Sequence, residues 1–109
     1  MRLLAVDTAL QRLSVAVGAN GRVRATRSRP LPRGHAELLL PEIQRTLDAA
    51  GLGYGDLDAL AVTLGPGTFT GVRVGLATVR AVALARRLPV IGVTTLQVLA
   101  VQARPRPGE

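Results

Sequence analysis

The chain has no cysteine, no tryptophan and no lysine. The missing cysteines exclude disulfides, thiolate metal sites and a cysteine nucleophile. The missing lysines exclude a Walker-type phosphate loop. Phe69 and Tyr54 are the only aromatic residues. The core must then be built from Ala, Val and Leu, whose small burial per residue calls for wide contact between elements, or for a partner surface. There is one histidine, His35. A zinc site needs about four ligands, usually His or Cys, so His35 reads as a capping or interface residue and no metal is expected. Ser14 and Ser28 lack a His–Asp arrangement, which leaves a serine-hydrolase reading unsupported. No apolar run approaches the ~20 residues that span a bilayer. No signal-peptide pattern opens the chain, so a soluble, cytoplasmic protein without membrane contact is expected.

What is present is apolar and basic. Of the 109 residues, 48% are hydrophobic, and the mean hydropathy of +0.29 is too high for disorder. The length suits one domain with one core. The net charge is +7, and all 14 basic residues are arginine. A GC-rich genome tends to produce such composition, so it need not reflect selection for binding. The arginines are scattered and lack aromatic stacking partners, which favours a solvated surface over sequence-reading nucleic-acid binding.

Arg2 to Val6 is a short apolar run ending at Asp7-Thr8, the pattern of a buried strand. Gln11 to Ala19 alternates as a second strand. Asn20-Gly21 is a strong hairpin signal. Arg22 to Arg29 follows as a third strand carrying Arg22, Arg24, Arg27 and Arg29. Charge of this density belongs on a sheet edge, where it blocks pairing with other chains. A helix is expected from His35 to Ala50, with Pro41 in or near its first turn and Gly51 and Gly53 ending it. On this helix Glu37, Glu42 and Asp48 have the spacing of a solvated face. Asp56 and Asp58 flank the entry to a fourth strand, Ala59 to Leu64. A second helix is expected from Thr70 to Arg87, a fifth strand from Val90 to Val93, and a last helix from Leu96 to Ala103 with Thr94-Thr95 at its cap. Residues 104–109 have linker composition.

The order βββαβαβα gives a five-stranded mixed sheet: three antiparallel strands, then two right-handed crossovers. That is the α/β order of a ribonuclease H-like lobe, the unit from which actin-like ATPases are assembled. The lobe is expected over residues 1–103, with 104–109 as a linker.

Between the fourth strand and the second helix lies Gly65-Pro66-Gly67-Thr68-Phe69-Thr70-Gly71-Val72-Arg73-Val74-Gly75. A sharp strand-to-helix turn gathers free backbone N–H groups at a positive helix end, a geometry that holds anions or packs a helix tightly. Gly71 and Gly75, four apart, share one helix side and permit close approach of another backbone. Two apolar stripes run along this helix: Val72, Leu76, Val79 and Ala83, and then Val74, Ala77, Ala81 and Leu84. A helix apolar on two sides is covered on both.

Catalytic readings fare poorly. A ribonuclease H-type nuclease would join Asp7 with a second carboxylate near the end of the fourth strand, which ends Val62-Thr63-Leu64. An actin-like ATPase would place a glycine turn after Asp7, where Thr8-Ala9-Leu10 stands. Asp7 therefore reads as a turn-holding residue. The glycine stretch reads as a packing device.

The glycine stretch closely resembles the GPGSFTGLRIG segment of the TsaB (YeaZ) family. Val6-Asp7-Thr8, His35-Ala36-Glu37-Leu38-Leu39-Leu40-Pro41 and Gly92-Val93-Thr94-Thr95-Leu96 match further family segments in the same order. The resemblance implies an actin-like protein of two ribonuclease H-like lobes, of which this chain supplies the first and stops at the linker, as a fragment or truncated product would. It implies a non-catalytic scaffold subunit in the formation of threonylcarbamoyladenosine on tRNA, without catalytic residues or cofactor. The implied partners are the paralogue TsaD, which carries the metal and the transferase chemistry, and the ATPase TsaE. The resemblance also implies a homodimer as the form that family members often take alone, and only indirect contact with tRNA. The glycoprotease-like names attached to the family are not matched by paired metal histidines here. The rival reading is an enzyme fragment, either an actin-like ATPase or a metallo-glycoprotease. In the family the two helices of the first lobe pack against their equivalents in the partner. Carried over, the interface falls on His35, Leu38, Pro41, Glu42, Arg45, Arg73, Val74, Thr78 and Val82, with Gly65, Gly67, Gly71 and Gly75 as the structural turn.

Overall fold

The computed structural model describes residues 1–8, 12–30, 36–65 and 69–93. Five strands form one sheet. They are β1 (Arg2–Asp7), β2 (Arg12–Ala19), β3 (Arg22–Pro30), β4 (Ala59–Thr63) and β5 (Val90–Val93). The spatial order is β3-β2-β1-β4-β5. β1 runs antiparallel to β2 and parallel to β4, while β2–β3 is antiparallel and β4–β5 parallel. This is the mixed sheet expected from the element order. Asn20 and Gly21 both take positive φ, 56° and 76°, as a two-residue hairpin loop between twisted strands requires. β3 lies at the sheet edge, where its arginines were expected.

Helix α1 spans Leu39–Ala50 and helix α2 spans Phe69–Arg86. The first helical segment begins as a 3-10 turn, Ala36–Leu38, before α1 proper. Pro41 is the third residue of α1. Its missing N–H therefore falls among the donors that a first turn leaves unbonded anyway. Gly51, with φ 72°, closes the helix and donates its N–H to the carbonyls of Asp48 and Leu47. The expected last helix, Leu96 to Ala103, lies outside the described residues, as does the 104–109 segment.

Both helices bury one face of the sheet. Leu4 pairs with Val17 and Leu60, and Val6 with Val15 and Val62, so these side chains share a face. They form one core with Leu13, with Leu39, Ile43 and Leu47 of α1, and with Val79 and Ala83 of α2. The aliphatic composition is accommodated by broad layer-on-layer contact. The Asp58 carboxylate accepts a 2.6 Å hydrogen bond from the Arg2 backbone N–H, joining the starts of β1 and β4.

Candidate functional site

The glycine stretch positions α2. Gly65 is buried with φ 110°, a backbone state that an L side chain strains to adopt. Gly75 faces Thr8 and Val62, and a Cβ there would collide with the Thr8 hydroxyl. The helix thus rests its backbone on the ends of β1 and β4. Of Gly71 only its place within α2 is described. Gly67 and His35 lie outside the described residues.

At the same end of the sheet, Asp7 and Thr63 stand on adjacent parallel strands. The Thr63 hydroxyl donates to Asp7 Oδ1 at 2.8 Å. Among the described residues no three His, Asp or Glu side chains converge. The nearest polar partner of Asp7 on β4 is a hydroxyl, in keeping with an anchoring role for this aspartate.

The outer side of the helix pair is different. Val79, Ala83 and Gly75 of α2 are buried, and Val72, Val74, Leu76, Thr78 and Val82 are half-buried. Ala77, Ala81, Leu84 and Ala85 are exposed, with Leu84 85% exposed. Leu40 of α1 is 51% exposed. A groove of about 660 Å³ runs between the helices, lined by Glu37, Leu40, Tyr54, Ala77, Thr78, Ala81, Val82, Ala85 and Arg86. Arg86 caps one end, its guanidinium 4.9 Å from the Tyr54 ring centroid. Burial pushes the Tyr54 phenol up, and the Arg86 charge partly opposes this.

Several interface candidates line or border this groove. Thr78 and Val82 lie in its wall. Leu38 and Val74 are half-buried and also pack on the core, while Pro41 and Arg73 are exposed. Glu42 requires correction. Its side chain is only 3% exposed, not part of a solvated or outward face. It accepts from Arg27 Nε at 2.7 Å, Arg29 Nη1 at 3.0 Å and Arg45 Nη1 at 2.8 Å. The Arg27 hydrogen bond, helped by Arg29 and Arg45, holds its carboxyl down to about 2 from 4.5 despite burial. Arg45 is therefore turned towards Glu42 along α1, while Arg27 and Arg29 tie β3 to α1 through the same carboxylate. Leu40, Ala77 and Ala81 were absent from the expected contacts. For the two alanines the signal was present, in the second apolar stripe of α2.

The family model described as TsaD: tRNA N6-adenosine threonylcarbamoyltransferase matches residues 30–109. The chain belongs to this family. Its TsaB-like character is clear from the relatives that align over most of its length. TsaB of Escherichia coli (strain K12), a tRNA threonylcarbamoyladenosine biosynthesis protein, is 44% identical over 100 residues, covering 92% of this chain and 43% of that protein. The structure of YeaZ from Pseudomonas aeruginosa superimposes with a TM-score of 0.86 at 41% identity, over 94% of this chain and 47% of that one. The chain thus spans less than half the length of these TsaB and YeaZ relatives. RuvC of Thermus thermophilus, in complex with a Holliday junction substrate, matches 99% of the chain and 84% of its own, with a TM-score of 0.60 at 19% identity. That likeness shows the ribonuclease H-like fold alone. Among the described residues, no helix of this TsaB-like chain is long and apolar enough to cross a membrane.

Proposed function

We propose that this chain is the first lobe of a non-catalytic scaffold subunit in tRNA threonylcarbamoyladenosine biosynthesis, acting in the cytoplasm by docking a TsaD-type transferase. The observation that carries the reading is the exposed apolar strip of α2, Ala77, Ala81 and Leu84, beside Leu40 of α1. Small residues let another helix approach closely, and the flanking leucines supply apolar area to bury. Membership of a family that contains both TsaB and TsaD supports a paralogous partner, which would offer an equivalent helix pair. In this reading the same face pairs two copies when the transferase is absent, and the ATPase TsaE joins the assembled complex. Residues 1–103 constitute the lobe and 104–109 a linker.

The reading is tested by co-expressing the chain with a TsaD-type transferase from the same genome. Co-purification in equal amounts is expected, while the isolated chain shows no heat of binding with ATP or zinc and no ATP hydrolysis. Hydrolysis by the isolated chain would contradict the scaffold assignment.

A further inference from the structure

Four of the nine residues of β3 are arginine, and nearly every position along it is exposed. Charged side chains on an edge strand block its pairing with other chains. Here Arg27 and Arg29 converge with Arg45 of α1 on the buried carboxylate of Glu42, each giving it one nitrogen. Their side chains remain 45%, 45% and 55% exposed, with the remaining N–H groups of each fork available to a second acceptor. One negative charge set against three positive ones leaves a local excess of two. On the opposite face of the same edge, Arg12 Nε donates to Ser28 Oγ at 2.8 Å, which orients a further guanidinium. Arg22 and Arg24 extend the row towards the hairpin. Arg24 sits where the β2–β3 register shifts, between Val23, opposite Gly18, and Ala25, opposite Val17. No carboxylate among the described residues pairs with Arg22 or Arg24.

We propose that the β3 edge is a docking surface for the phosphate backbone of an RNA. Nine strand residues span roughly 30 Å. A row of this length suits a polyanion better than a single phosphate. Guanidinium groups already fixed on Glu42 and Ser28 lose little further freedom when a phosphate arrives, and their planar forks match its oxygens. Arg27 and Arg29 also line a polar groove of about 440 Å³ together with Glu42, and side-chain N–H groups of this kind commonly contact phosphate oxygens. With no aromatic side chain in this groove or along β3 to stack on bases, the surface positions an RNA without reading its sequence. The surface is separate from the α1–α2 groove. Only the choice of RNA over DNA as ligand rests on the function proposed above. Direct backbone contact at this edge goes beyond the indirect tRNA contact that the family resemblance implies.

The test uses the 109-residue chain alone and a fluorescently labelled tRNA transcript, followed by anisotropy across about 50 to 200 mM salt. Affinity is expected to fall steeply with salt. The pair Arg22→Ala/Arg24→Ala, at exposed positions without ion pairs, is expected to weaken binding about tenfold and to reduce the salt slope by about two. The pair Arg80→Ala/Arg87→Ala, which removes the same charge elsewhere, is expected to change affinity less than about twofold. Equal losses in the two pairs would reduce the effect to net charge and overturn the proposal. So would salt-insensitive binding, or tighter association with anionic phosphatidylserine vesicles than with tRNA. None of these outcomes depends on whether the transferase binds, so the two proposals fail separately.

Discussion

Gly75 of α2 rests on Thr8 at the end of β1, so close that a methyl group on the glycine would strike the threonine hydroxyl. Thr8 is fully buried, with little room to yield. In an exposed helix a Gly→Ala change gains about 1 kcal/mol. Here the collision outweighs that gain, and Gly75→Ala is expected to destabilise the fold by about 1–2 kcal/mol in urea unfolding. Adding Thr8→Ala removes the obstructing oxygen. The double variant is expected to lose less than the sum of the two single changes, the signature of direct contact.

A contrasting glycine separates backbone strain from collision. A Cβ at Gly21 would meet nothing within 4 Å, yet its φ is 76°. Gly21→Ala is expected to cost about 1 kcal/mol through the turn conformation alone. No substitution at a neighbouring side chain should restore it.

The Glu42 carboxyl, held down to about 2 from 4.5, ties part of the stability to pH. A group whose pKa is lowered by folding stabilises above its ordinary value and stops doing so as pH falls through its folded one. Stability is therefore expected to fall between about pH 4.5 and 2 as the ion pairs with Arg27, Arg29 and Arg45 are lost. Glu42→Gln is expected to reduce stability at neutral pH by about 1–3 kcal/mol and to flatten that part of the acid profile. Urea midpoints at pH 7 and pH 3 for both proteins check this.

Much of this fold was legible in the chain. The alternation of Leu13, Val15 and Val17 named the buried face of β2, Asn20-Gly21 named the hairpin, and the charge on β3 named the edge. Local pattern carries these features because each depends on residues a few positions apart. Glu42 was not legible. Its spacing with Glu37 and Asp48 is that of a solvated face, and its burial follows from β3 arginines some 15 positions away, brought near only by the tertiary fold. The exposed outer face of α2 was half legible. The second stripe of α2 was visible in the sequence. That Val74 turns partly into the core while Ala77, Ala81 and Leu84 stay outside depends on how α2 packs on the sheet, which local pattern does not fix.

Leu84 offers a clean separation of folding from association. At 85% exposure it contributes little to the core. Leu84→Glu is expected to leave the unfolding midpoint within about 0.5 kcal/mol of the parent. Any loss of partner binding in this variant then reports on the surface rather than on the fold.

Docking through the outer face of α2 is probed by placing a charge at its exposed middle. Ala81→Glu is measured against the parent chain for affinity to a TsaD-type transferase by calorimetry, with urea unfolding run in parallel. Stability is expected to be unchanged and association weaker by about a hundredfold or more, because the added charge would be desolvated at an apolar helix contact. Undiminished affinity in a normally folded Ala81→Glu chain would contradict docking through this face.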